Sequence, residues 1–68
     1  MQSFTVTGMT CDHCVRAVTS AIQQIDPAAR VEVDLRAGRV AVRDSRAAAG
    51  EIVRALEGEG YMAQPLAS

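Results

Sequence analysis

Lysine is missing from this chain, and so is tryptophan; Phe4 and Tyr61 are the only aromatics. The core must therefore be assembled from Val, Ile, Leu and Ala, and 68 residues leave little room for an enclosed substrate pocket. That argues against most enzymes. Charge of neither sign dominates, since seven Arg stand against eight Asp and Glu without any basic run. Nucleic-acid binding wants a clustered cationic surface and usually stacking aromatics, so no nucleic-acid partner is expected. Long hydrophobic runs are also absent: no segment approaches the roughly 20 apolar residues of a membrane span, and no membrane insertion is expected. The stretch Met1 to Val6 lacks the basic and apolar regions of a signal peptide. Read as the whole gene product, the chain is expected to stay in the cytoplasm, as one domain over residues 1–68.

Cysteine is scarce too, with only Cys11 and Cys14. A small secreted domain normally carries several cysteines at disulfide spacings. A single C-x-x-C pair in a reducing compartment points instead to metal binding or thiol catalysis.

What is present is a hydrophobic pattern that changes period along the chain. Phe4 and Val6 alternate with polar neighbours, which predicts a short strand with one buried face. Thr7 to Asp12 reads as a loop turning at Gly8. From His13 onward Val15, Val18, Ile22 and Ile25 recur at helical spacing, with Thr10 or Asp12 as the cap and Asp26-Pro27 as the stop. Val31, Val33 and Leu35 alternate, as do Val40 and Val42, and Arg36-Ala37-Gly38 joins the two runs into a hairpin. Asp44-Ser45-Arg46 interrupts the pattern. A second helix then turns Ala48 or Ala49, Ile52, Val53 and Leu56 inward, with Gly58 or Gly60 at its end. Tyr61 to Leu66 forms a last strand closed by Pro65. The order β-α-β-β-α-β predicts an α+β, ferredoxin-like sandwich: a four-stranded antiparallel sheet with two helices on one face. Glu32, Asp34, Arg39 and Arg43 suit the open face.

The pair Cys11 and Cys14 falls where the first loop meets the first helix, so both sulfurs can converge on one point. Thiolates select soft metals, Cu(I) among them, and Cu(I) accepts two sulfurs where zinc generally wants four ligands. Two thiolates on one monovalent cation leave a net charge of −1. The positive end of the helix, with its free N–H groups, offsets that excess and favours thiolate over thiol. Arg16 lies one turn further in. A loop site with open coordination also lets a third thiolate attack the metal before the first leaves, so transfer releases no free ion.

Gly8-Met9-Thr10-Cys11-Asp12-His13-Cys14, the apolar-striped helix after it and the later Gly60-Tyr61 resemble the heavy-metal-associated domain family. The resemblance runs from Phe4 to Ala63. It implies the fold read above, Cu(I) on Cys11 and Cys14, and Met9 packed in the core beneath the loop. It also implies Tyr61 close to the cysteine loop, its hydroxyl next to the sulfurs rather than on the metal. A single domain of this kind is similar to bacterial cytosolic copper chaperones. The partner so implied is the metal-binding domain of a copper-transporting P-type ATPase, with a metal-responsive regulator and a metal-bridged homodimer as further partners. Two departures stand out. Asp26-Pro27 occupies a turn where the family usually has glycine, and Ala47-Ala48-Ala49-Gly50 lacks the usual Ser or Thr helix cap, an omission that costs about 1 kcal/mol.

Plainer readings accompany these. His13 is either a solvent-facing residue between the cysteines or an auxiliary ligand. Met9 is core or a thioether ligand, and Tyr61 packs or tunes the site. Arg16, Arg54, Glu57 and Glu59 form a solvated face. Other functions compete with copper carriage: a carrier of Hg(II), Ag(I) or Zn(II), a regulatory module of a longer ATPase, and a thiol-disulfide oxidoreductase. The last is disfavoured because the chain lacks the Trp and Gly-Pro context of thioredoxin-like sites. No enzymatic activity is therefore expected.

Overall fold

The structure is a computed structural model that describes residues 2–10 and 12–66. Six elements follow one another: β1 Gln2–Thr7, α1 Asp12–Ile25, β2 Arg30–Asp34, β3 Arg39–Arg43, α2 Ala49–Gly58 and β4 Met62–Pro65. The strands form one antiparallel sheet in the order β2-β3-β1-β4, the ferredoxin-like arrangement. Because side chains alternate along a strand, Phe4, Val6, Val40, Val42 and Ala63 all point to one face. There they share a single core with Val18, Ala21 and Ile22 of α1 and Ile52 and Leu56 of α2. The opposite face is left to Arg30, Glu32, Asp34, Arg39 and Arg43, all exposed.

The central strand carries the largest buried side chain, Phe4, with no exposed surface. Its neighbours on the edges are less covered: Val31 and Val33 of β2 are only half-buried. Two ion pairs cross the hairpin region, Arg43 to Glu32 at 3.7 Å and Arg30 to Asp44 at 3.5 Å. All four side chains are more than half exposed, so each pair contributes at most about 1 kcal/mol.

Three details depart from the sequence pattern. Leu35 is not in a strand. The Asp34 carboxylate accepts the Ala37 N–H at 3.1 Å and folds Leu35–Gly38 into the turn, so β2 stops one residue earlier. Ile25 lies on the inward stripe of α1 but holds the last helical position, where the core beneath runs out, and it is 42% exposed. Finally, β4 begins at Met62, because Tyr61 belongs to the link from α2. Pro65 is tolerated there because β4 is an edge strand and needs no outward N–H.

Both ends of α2 find partners, the start without the usual Ser or Thr cap and the end at Gly60 as the sequence suggests. Ala48 offers no side-chain oxygen at the start of α2, but Glu51 reaches back to accept the Ala48 N–H at 3.3 Å. That is half of a capping box. At the other end, Gly60 sits at φ +93 and donates to Glu57 O at 3.0 Å, while Tyr61 N–H reaches Leu56 O at 3.1 Å. This double closure is a Schellman motif, and it fixes the direction in which the chain leaves α2.

Asp26 joins the two loops at the far pole of the molecule. One carboxylate oxygen accepts from the Arg46 N–H at 2.8 Å and the Ser45 hydroxyl at 3.0 Å; the other accepts the Ala28 N–H at 3.1 Å. The Arg46 N–H is the main reason its carboxyl is held below the ordinary value, with the Ser45 hydroxyl next.

Candidate metal site

The site is assembled at the end of the sheet where β1 leaves and β4 enters. Thr7 and Met62 are the last Cα partners of that pair. Gly8 follows one and Tyr61 precedes the other, so strand register brings the loop and the tyrosine to the same end of the sheet. Gly8 turns the chain off β1 at φ +96, a conformation that L side chains rarely adopt. A Cβ built on Gly8 would stand 3.4 Å from Cδ1 of Tyr61, which places the ring over the loop backbone. Tyr61 is half-buried and packs against the core.

Met9 is also half-buried and packs against the core, so its side chain anchors the loop from below. Thr10 is exposed. Cys11 lies outside the described residues. Asp12 opens α1 and places a carboxylate in its first turn, where negative charge is favoured. His13 is exposed, and Arg16 is exposed one turn into the helix. Cys14 sits half-buried in that first turn, with its Sγ 4.0 Å from Oγ1 of Thr10.

The structure thus sets Thr10 beside Cys14 at the start of α1, packs Met9 and Tyr61 against the core, with Tyr61 against Gly8 of the preceding loop, and leaves His13 exposed. Among the described residues, no three His, Cys, Asp or Glu side chains converge as a metal-binding group. The sequence pattern does not show the Thr10–Cys14 contact, since Thr10 enters it only as a helix cap and as part of the family motif.

Comparison with known proteins agrees with this geometry. The model of the heavy-metal-associated domain matches residues 3–62. The copper chaperone CopZ of Staphylococcus aureus (strain bovine RF122 / ET3-1) is 43% identical over 58 residues, covering 82% of this chain and 85% of that protein. Among solved structures, a gold-binding protein superposes with a TM-score of 0.89 at 27% identity, covering 97% of this chain and all of the other. A copper-binding domain from HMA7, a P-type ATPase, gives a TM-score of 0.86 at 28% identity, covering 98% and 96%. On this motif, this fold and these matches, the chain belongs to the heavy-metal-associated domain family.

Proposed function

We propose that this chain is a Cu(I) carrier, that Cys11 and Cys14 are its ligands, and that it passes the ion to the metal-binding domain of a copper-transporting P-type ATPase. The observation that carries the reading is the position of Cys14, half-buried in the first turn of α1, in a chain 43% identical to a copper chaperone and with the fold of another. The donor set fits the ion. Two thiolates satisfy Cu(I), and the start of α1 supplies N–H groups and partial positive charge against the net negative charge of the complex. Zinc would want about four ligands.

Transfer proceeds by exchange of sulfurs. An incoming thiolate binds the metal, one of the carrier's sulfurs leaves, and a second exchange completes the handover. The likeness to a P-type ATPase domain supports that partner, because two domains of one shape can face their loops to each other. A second copy of the chain facing the same way gives the metal-bridged homodimer, and a metal-responsive regulator is a further acceptor for the same exchange. Met9 and Tyr61 support the loop without binding metal, and His13 is an auxiliary group at the facing surface. Residues 1–68 act as one domain that carries its cargo unchanged, without catalysis. Among the described residues no helix is long and apolar enough to cross a membrane, and the cytoplasm is the proposed location.

The likeness to a gold-binding protein favours one alternative, the same sulfur pair carrying another soft ion such as Ag(I). Anaerobic competition titration with Cu(I), Ag(I) and Zn(II), read by mass spectrometry, separates the two. One Cu(I) per chain, lost in the Cys11→Ser/Cys14→Ser double variant, is the expected result. Retained Cu(I) in that variant refutes the ligand assignment.

A further inference from the structure

Two hydrogen bonds elsewhere in the sheet fix which backbone groups of β2 are left open. Val6 N–H donates to Gly38 O at 2.7 Å, and Leu66 N–H donates to Ser3 O at 2.8 Å. A residue of an antiparallel strand aims its N–H and C=O to one side, and the next residue aims them to the other. Gly38, Val40 and Val42 therefore face β1, and Arg39, Ala41 and Arg43 face β2. Their partners in the register are Asp34, Glu32 and Arg30, so these three bond to β3. Val31 and Val33 aim their N–H and C=O away from the sheet. There β2 is the edge, and no hydrogen bond reaches them from another element among the described residues.

The two edges of the sheet differ. On β4 the same alternation turns Pro65 outward, where it has no N–H to offer. The β2 edge lacks such devices: it has no proline, no lysine and no bulge, and its register is unbroken from Arg30 to Asp34. Its side chains are also their own complement. Laid antiparallel on itself about Glu32, β2 sets Val31 opposite Val33 of a second copy, each such pair exchanging two N–H···O bonds. These valines, half-buried at the edge, then cover one another on the helix side. On the open side Arg30 meets Asp34 at both ends of the seam. Only Glu32 meets its like, and Arg43 of the next strand lies 3.7 Å from it. Arg30 also reaches Asp44 at 3.5 Å, a pair exposed enough to yield.

We propose that β2 is a docking edge for a second copy of this chain, joining two sheets into one without metal. The loop after β1 lies at the Asp34 end of β2, since Thr5 faces Arg39 and Arg39 faces Asp34. The antiparallel seam sends the two loops to opposite ends of the dimer. Both stay open, which sets this dimer apart from one bridged by an ion.

The test is sedimentation of the reduced, metal-free protein from micromolar to millimolar concentration, with and without a copper and zinc chelator. A monomer–dimer equilibrium that the chelator leaves unchanged is the expected result. Arg30→Glu should weaken the dimer about tenfold and Glu32→Gln should tighten it about threefold, because a two-fold seam brings like charges together in the first and removes them in the second. Val33→Pro deletes an outward N–H without touching the ladder to β3 and should leave monomer alone. Circular dichroism checks its fold, and Arg30→Glu carries the test should proline disturb the strand. Amide exchange read by NMR locates the seam: the Val31 and Val33 amides should gain protection as concentration rises, while those of Arg30, Glu32 and Asp34 stay as they are. A protein still monomeric at millimolar concentration, a dimer lost on chelation, or one indifferent to Arg30→Glu overturns the proposal.

Discussion

The ring of Tyr61 lies over Gly8, at a distance where a Cβ on the glycine would meet the ring edge at 3.4 Å. The contact depends on both ends of the fold. Gly8 emerges from β1 in a left-handed conformation, and Tyr61 emerges from a Schellman closure that Gly60 makes possible. Neither residue is near the other in sequence, yet they meet at the loop that leads from β1 towards α1.

Two effects compete when Gly8 is replaced by alanine, and their magnitudes decide between them. At 3.4 Å the added methyl makes ordinary contact with the ring, whereas φ +96 is strained for any L side chain. The cost is thus mainly backbone strain, about 1–3 kcal/mol. Urea unfolding of Gly8→Ala should show that loss. Combining it with Tyr61→Ala should give nearly additive losses, since the ring contact carries little of the penalty. Strong coupling between the two substitutions would place the cost in the ring contact instead.

Asp26 predicts a pH dependence. Its carboxyl is held below the ordinary value of 3.8, first by the Arg46 N–H and then by the Ser45 hydroxyl. A depressed carboxylate contributes stability that is fully present above the ordinary value and lost as pH falls through the folded one. Thermal melts of the wild type should therefore decline as pH drops below about 4. Asp26→Asn should melt lower than the wild type at pH 7 and show a shallower decline in acid. Parallel curves for the two proteins would mean that the carboxylate charge does not hold the loops.

How much of this could be read from residue order depends on distance along the chain. The strands of Phe4, Val40 and Val42 and the stripe of α1 were legible because burial imposes a local period. The heptapeptide from Gly8 to Cys14 was legible as a family motif. Leu35 misled the pattern because a single carboxylate, on Asp34, outweighed alternation and bent the chain one residue early. The bridge from Asp26 to Ser45 spans 19 residues and leaves no periodic trace. Asp26-Pro27 looked like a mere departure from a glycine turn, yet its carboxylate holds a loop beyond β3. The ring of Tyr61 over the loop was expected from the family resemblance. The aim of Thr10 at Cys14 followed only from three-dimensional placement.

The start of α2 is open to improvement. Ala48 contributes no side-chain acceptor, and Glu51 supplies the only half of the capping box that has an oxygen. Ala48→Ser should complete the pair and stabilise the domain by about 0.5–1 kcal/mol. Glu51→Ala should destabilise it, and the benefit of Ala48→Ser should shrink in that background. Denaturant midpoints of the four proteins would check this. An Ala48→Ser protein no more stable than the wild type would mean that the serine does not reach the Glu51 N–H.

Two glycines in and after α2 should respond to alanine with opposite signs, although a Cβ at either meets nothing within 4 Å. Gly50 lies inside the helix and has no positive φ, so Gly50→Ala removes chain entropy from the unfolded state and should add about 0.5–1 kcal/mol of stability. Gly60 sits at φ +93, where alanine is strained, and Gly60→Ala should cost about 1–3 kcal/mol. With steric room equal at both sites, the difference isolates backbone conformation as the cause. Gly60→Ala should have one consequence that Gly50→Ala lacks. By weakening the closure that donates Tyr61 N–H to Leu56 O, it should loosen the ring over the loop and raise the rate at which Cys14 is alkylated in the metal-free protein. Equal alkylation rates in the two alanine variants would separate the helix end from the cysteine loop.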